Sequence, residues 1–450
     1  MRCVTAGMIP SPANRFTLPG LLWLFFTALP LAGCGSNSSD DPAAETARFA
    51  VVSDTHLFDG TALGTSSPEF IAESVRENKL LKESVEILSS AIARISSSPV
   101  GFVLVTGDLS KDGERINHEL MAARLAELEA GGKKVFVIPG NHDISNPRAF
   151  SYATSPPSPV ARVTPAEFEG IYAEFGYREA ISRDPNSLSY IAEPVSGIWL
   201  FALDSCRYGN DQNQEFPTTS GGLGMATRSW ILDRLVDARA QGKVVIGMVH
   251  HGILEHLAGE SITSPGYVID NWREVASEFA GHGLNVVFTG HFHANDVTAK
   301  AFNGSLLYDI ETGSLVTYPN AFRIAEYNFK SRELSIQSER VTGTVTHPVD
   351  FENYSQKASK NNLKENTRSL LSAPPFSLRE PELSAVSLLL VAGLMAHYAG
   401  NETPSLITST SYLALADSAD PLIRGFGQTL ASLWTDLPPL DGSIGISLAR

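Results

Sequence analysis

Five apolar runs in this chain end in residues that bind metal ions. Phe49-Ala50-Val51-Val52-Ser53 leads into Asp54 and His56. Val100-Gly101-Phe102-Val103-Leu104-Val105 leads into Gly107-Asp108. Lys134-Val135-Phe136-Val137-Ile138-Pro139 leads into Gly140-Asn141-His142-Asp143. Val244-Val245-Ile246-Gly247-Met248-Val249 leads into His250-His251, and Asn285-Val286-Val287-Phe288-Thr289 into Gly290-His291-Phe292-His293. Side chains two apart on an extended segment share a face, so Asp54 and His56 could converge on one ion. One polar strand end is ordinary, but five ending in ligand types are not accidental. The only cysteines are Cys3, Cys34 and Cys206, with no Cys-x-x-Cys pair. Any metal is therefore held by His, Asp and Asn, a donor set that favours Zn, Mn or Fe.

Those ends must be positioned by buried elements. Short apolar runs bounded by polar residues read as strands. Residues 69–96 keep helical spacing of Leu80, Leu81, Val85, Leu88, Ile92 and Ile95. Further helices are expected at 115–130, 227–240 and 271–280. Strand and helix alternate, which argues for parallel βαβ units. A sixth core strand covers 198–203 and ends at Asp204. Residues 144–190, richer in Pro, Ser and aromatics, read as a lid or rim insertion. Segments 305–310, 322–329 and 333–341 read as antiparallel strands closing the sheets. After about residue 350 the composition shifts, and 382–436 read as helices docked on the preceding domain. Their uncharged run 383–396 is too short to span a bilayer.

The chain has 450 residues, is 43% hydrophobic and carries net charge −15. That is enough apolar material for a sizeable core. The acidic balance gives no electrostatic footprint for a nucleic-acid polymer. A phosphate-bearing substrate would need bound cations to supply positive charge. At the start, Arg15 precedes an apolar core from 18 to 31, of signal-peptide length. It ends Leu31-Ala32-Gly33-Cys34, which resembles the lipobox of bacterial lipoproteins and implies lipid attachment at Cys34. The polar stretch after it reads as a tether. The expected organisation is a lipoprotein signal peptide at 1–33, a flexible tether at 34–47, a catalytic domain at 48–350 and a helical C-terminal region at 351–450. The expected location is the cell envelope, periplasmic or anchored to the outer membrane.

As a set, Asp54-x-His56, Gly107-Asp108, Gly140-Asn141-His142-Asp143, His250 and Gly290-His291-x-His293 resemble the calcineurin-like metallophosphoesterases over residues 48–341. The resemblance implies an α/β fold of two packed mixed sheets flanked by helices, an αββα sandwich. It implies two metal ions at the strand ends, one held by Asp54, His56 and His293, the other by Asn141, His250 and His291, with Asp108 bridging. Two ions ~3.5–4 Å apart can clamp a phosphoryl group and activate a bridging water. His250 is preferred over His251 because it sits nearer the strand.

The resemblance also makes His142 a proton donor to the leaving oxygen. Asp112 either orients His142 or caps the turn before Gly113. Asp143 reads as structural. His118, His256, His282, His347 and His397 read as surface or packing histidines, Cys206 as a small buried residue, and 311–315 as a turn. The implied activity is metal-dependent hydrolysis of a small phosphate ester. A phosphodiester such as a cyclic nucleotide or glycerophosphodiester is preferred, because the Asp54-x-His56 start and the His250-His251 pair look more like that branch. The alternatives are a phosphomonoesterase and a non-catalytic metal-binding surface lipoprotein.

Overall fold

The apolar runs become strands that share one edge of a two-sheet sandwich. The computed structural model describes residues 45–209 and 214–448. The signal segment, most of the tether and Cys34 lie outside the described residues. In chain order the strands are β1 (Thr46–Val52), β2 (Phe102–Val105), β3 (Lys134–Val137), β4 (Phe150–Ser151), β5 (Ser158–Pro159), β6 (Ser182–Arg183), β7 (Tyr190–Ala192) and β8 (Ile198–Leu203). They continue with β9 (Val244–Val249), β10 (Val286–Thr289), β11 (Val297–Phe302), β12 (Ser305–Glu311), β13 (Ala321–Asn328), β14 (Glu333–Arg340) and β15 (Ser443–Ser447).

One sheet has the order β15-β14-β13-β1-β2-β3 and the other β11-β12-β10-β9-β8-β7-β6. In the first sheet β1, β2 and β3 run parallel and the other pairs antiparallel; in the second β12, β10, β9 and β8 run parallel with antiparallel strands at both edges, so both sheets are mixed. Parallel strands end at the same side. That is why five strand ends with ligand-type residues gather in one place.

The two inner faces pack through Phe49, stacked on Phe102 at 4.8 Å and meeting Phe288 of the other sheet edge-on at 5.5 Å. Strand β8 shows why the runs are continuous rather than alternating. Ile198, Leu200 and Ala202 join the inner core. Trp199, Phe201 and Leu203 pack outward with Ile231 and Leu235 of helix Met225–Ala240 and Phe279 of helix Trp272–His282. A strand buried on both faces has no polar side to show.

The helix expected at 69–96 is two helices, Pro68–Glu77 and Ser84–Ser97, with a short turn at Leu81–Glu83. Asn78 caps the first in the left-handed region at φ 54°. A non-glycine cap there is a job Asn does readily, and hydrophobic spacing alone does not reveal it. The expected rim insertion supplies the β4–β5 hairpin, but also the edge strand β6, and it leads into its neighbour β7; the apolar sets of both are too short for a period to show. Beyond residue 350, helix Phe351–Ser372 is followed by Glu382–Tyr398, Leu406–Ala416 and Pro421–Leu433. The chain then returns to pair β15 with β14, Ile444 opposite Ile336. No helix among the described residues is long and apolar enough to cross a membrane.

Arg323 on β13 ties the layers together. It is fully buried. Its guanidinium donates to the carbonyls of Glu311 (2.6 and 3.2 Å), Asp296 (3.0 Å) and Asp441 (2.9 Å), and to Ser338 Oγ (3.0 Å). These partners belong to the second sheet, the first sheet and the C-terminal loop. Arg323→Met would leave buried carbonyls without donors, at about 1–3 kcal/mol each. The expected loss is about 3 kcal/mol or more by equilibrium chemical denaturation. A loss below about 1 kcal/mol would refute this role.

Candidate metal centre

The ligand-type residues sit on tight turns directly after β1, β2, β3, β9 and β10. The extended geometry expected for Asp54-x-His56 is not what brings the pair together. Asp54 (φ 49°), His56 (φ 36°), Asp108 (φ 50°), His291 (φ 76°) and His293 (φ 72°) all lie in the left-handed region. Non-glycine residues adopt it at a cost, and such residues cluster at functional sites. The glycines of the motifs serve close approach. A Cβ on Gly140 would collide with the Asp108 backbone N and carboxylate, and one on Gly290 with Ser53 and Asp54. Asp143 staples two of the turns from beneath. Its carboxylate accepts N–H groups from Leu109 (3.1 Å), Ser110 (2.9 Å) and Gly140 (2.8 Å), and the Ser110 hydroxyl (2.9 Å).

The side chains converge in two groups joined by Asp108. In the first, His56 Nε2 lies 3.2 Å from His293 Nε2, and His293 Nε2 lies 3.3 Å from Asp54 Oδ1. In the second, His250 Nε2 lies 3.1 Å from Asn141 Oδ1, with His291 alongside, its ring 4.9 Å from that of His250. Asp108 Oδ2 is 3.6 Å from His56 Nε2 and 3.4 Å from His250 Nε2. All seven residues are buried except His293, whose side chain is 14% exposed. The ligand atoms of Asp54, His56 and His293, and those of Asp108, His250 and His291, lie within 4.8 Å of one another.

This donor set fits two cations. Asp54 Oδ1 is buried without a hydrogen-bond donor, and imidazole nitrogens face each other and carboxylate oxygens at 3.2–3.6 Å. Several ring nitrogens are also held from behind, as in metal-binding histidines generally. His250 Nδ1 donates to Thr106 O at 2.9 Å, and His291 Nε2 to Gly266 O at 3.2 Å.

Burial opposes charge throughout, and the local partners decide the outcome. Burial pushes Asp108 up, but the charges of His250 and His142 outweigh it and hold the carboxyl well below its usual range. Burial lowers His250, yet Asp108 lifts it to about 9. Burial drives His56 and His291 well down, which keeps their rings neutral. His251 is pushed down to about 3 by burial and by His250. It bonds Ser205 Oγ (2.8 Å) and Thr219 O (2.9 Å), so both of its nitrogens are occupied away from the two groups.

His142 lies beside Asp108, which accepts its backbone N–H at 2.8 Å. Its Nδ1 is 2.8 Å from Asp112 Oδ1 and 2.9 Å from Lys111 O. That leaves Nε2 as the available nitrogen on a ring 17% exposed. Burial and Lys79 lower its proton affinity. Asp108 and Asp112 more than compensate and raise it above the ordinary histidine value. Two neighbours escaped the sequence reading. Lys79 Nζ lies 3.4 Å from His56 Nδ1 and 2.8 Å from Glu77. Lys111, fully buried, pairs with Asp112. A lone lysine in a helix-rich segment carries no signal of either position. Cys206 is only partly buried, and its Sγ donates to Pro139 O at 3.4 Å.

The family model described as calcineurin-like phosphoesterase matches residues 47–295. With the two-sheet sandwich and the paired ligand groups, it places the chain in the calcineurin-like phosphoesterase family. The protein is a dinuclear metal-dependent phosphoric ester hydrolase. No curated protein matches the chain. Among solved structures it is similar to a dimetal phosphatase from Danio rerio (14% identity, TM-score 0.46, covering 66% of this chain and 96% of that one). It is also similar to a purple acid phosphatase from yellow lupin, Lupinus luteus, seeds (11%, TM-score 0.43, 66% and 52%). A third is a phosphopantetheinyl hydrolase from Mycobacterium tuberculosis (12%, TM-score 0.29, 60% and 90%).

Because Asp108 faces both groups, Asp108→Asn is expected to cost the centre its metals and reduce turnover to background. Elemental analysis beside a phosphoesterase assay checks this. Two ions per chain at the dinuclear centre with near-normal turnover would sink the shared-carboxylate arrangement.

Proposed function

We propose that the centre hydrolyses a small phosphodiester. Asp54, His56 and His293 would hold one ion, Asn141, His250 and His291 the other, and Asp108, which faces both groups, would serve both. The ions are drawn from Mn, Zn and Fe. The observation that carries the reading is Asp108 standing between two ligand groups with His142 beside it. When bound, two such ions supply positive charge for the phosphoryl group and lower the pKa of water. The rest falls to the chain. Asp112 accepts from His142 Nδ1 and fixes the ring. His142 Nε2 then gives its proton to the departing oxygen. Burial of the ligands excludes bulk water from all but the His142 and His293 side.

The preference for a diester rests on charge. Lys79 and Lys111, the basic side chains beside the ligand groups, are already paired with Glu77 and Asp112. A diester brings one negative charge where a monoester brings up to two, so it needs less compensation. A panel of aryl mono- and diesters assayed with Mn, Zn and Fe tests this. A monoester cleaved faster than any diester would overturn it.

His142 has a sharper test. An alkoxide leaving group is a strong base and needs a proton, whereas a nitrophenolate leaves unassisted. His142→Ala should slow an alkyl phosphodiester by ~10²-fold or more in kcat/KM, the nitrophenyl ester much less, with metal content intact. Equal slowing of both would make His142 a positioning group.

We further propose that the protein is an exported lipoprotein of the cell envelope, anchored through Cys34. The support is the apolar core ending at Leu31-Ala32-Gly33-Cys34. Cys34→Ser should move the protein out of the membrane fraction without loss of activity. An unaltered membrane fraction would remove the anchor.

A further inference from the structure

A second group of buried carboxylates and imidazoles lies where the C-terminal region meets the second sheet. Asp296 directly precedes β11. His397 is in the last turn of helix Glu382–Tyr398, Glu402 follows in the next loop, and Asp441 precedes β15. His397 had read as a surface or packing histidine. It is 1% exposed, and its Nδ1 lies 2.8 Å from Glu402 Oε1 and 3.4 Å from Asp296 Oδ2. Ligand atoms of the three residues lie within 4.8 Å of one another. Asp296 is 3% exposed and Glu402 6%. The remaining oxygens, Asp296 Oδ1 and Glu402 Oε2, are buried with no hydrogen-bond partner.

Buried acids outnumber the cations that face them. Asp309, Glu311 and Glu260 surround the neighbouring His256, whose Nδ1 lies 3.3 Å from Asp296 Oδ1. The Arg323 guanidinium spends its N–H groups on Ser338 and on backbone carbonyls rather than on these carboxylates. In the absence of another cation, protons must make up the difference. An uncompensated buried carboxylate costs several kcal/mol.

We propose that Asp296, His397 and Glu402 bind a further divalent ion of the zinc class, structural rather than catalytic, with the Asp441 carboxyl beside it. Ligands about 2.1 Å from a tetrahedral ion stand about 3.4 Å apart; the Asp296–His397 pair already stands at 3.4 Å, and the His397–Glu402 pair, at 2.8 Å, must open slightly to admit the ion. Imidazole beside carboxylates suits Zn²⁺, whereas Ca²⁺ and Mg²⁺ take oxygen ligands. The ion joins the C-terminal helices to the segment carrying two active-site ligands. The ring of Phe292, between His291 and His293, packs on His397 at 5.3 Å, and Asn295 N–H donates to Tyr398 O at 3.2 Å.

The test is metal stoichiometry on the full chain, saturated with Zn²⁺ and freed of excess. Wild type should hold about three ions, two at the dinuclear centre and one here. His397→Gln and the near-isosteric Glu402→Gln should each hold about two and melt at lower temperature. Asp108→Asn should keep this ion, and Asp108→Asn combined with Glu402→Gln should hold none. That separates failure of this site from failure of the dinuclear one. Two ions in wild type, or retention of the third by a folded Glu402→Gln protein, would overturn the proposal.

Discussion

The Asp108 carboxylate is the point on which the rest of the structure depends. It is buried between His56, from the first sheet, and His250, from the second. Burial raises its proton affinity, and the charges of His250 and His142 outweigh that and hold it well below the usual carboxyl range. Their positions in turn require two sheets whose parallel strands end on the same side. The sandwich thus has a chemical purpose besides burying Phe49, Phe102 and Phe288. It also shields a cluster of ligand-type side chains from bulk water.

Holding that cluster costs backbone energy. Five of the ligand-type residues sit in left-handed conformations, each at a cost of order 1–3 kcal/mol. The offsets are local and specific. Asp143 satisfies three backbone N–H groups of two turns at once, and bare glycines at 140 and 290 let neighbouring chain pass where a methyl group would collide. An acid that binds no substrate and glycines that carry no chemistry are as necessary to the geometry as the histidines.

The last hundred residues belong to the same construction. Phe351 is buried in the main core, β15 completes the first sheet, and Arg323 reaches across to the Asp441 carbonyl. The turn from His397 to Glu402 rests on the segment that follows His291 and His293. The helices therefore pack against the His291–His293 segment from outside, through Phe292 and Asn295.

The sequence by itself determined the strand ends, the fold class and the inventory of ligand-type residues. Apolar runs that stop at Asp, Asn and His are a local pattern, and local patterns survive in one dimension. It also carried the helices expected at 115–130 and 227–240, which the structure places at Arg115–Ala130 and Met225–Ala240. It did not carry the break at Asn78, because a left-handed cap interrupts a helix without interrupting its hydrophobic spacing. It did not carry β11, β15, β6 or β7, whose apolar content is too short or too polar to show a period. The left-handed turns at Asp54 and His56 replaced an expected extended segment, since backbone strain is imposed by neighbours distant in sequence. Lys79, Lys111 and the union of Asp296, His397 and Glu402 were decided by tertiary structure alone. A buried charge is recognisable only from what surrounds it, and those surroundings come from positions up to hundreds of residues apart.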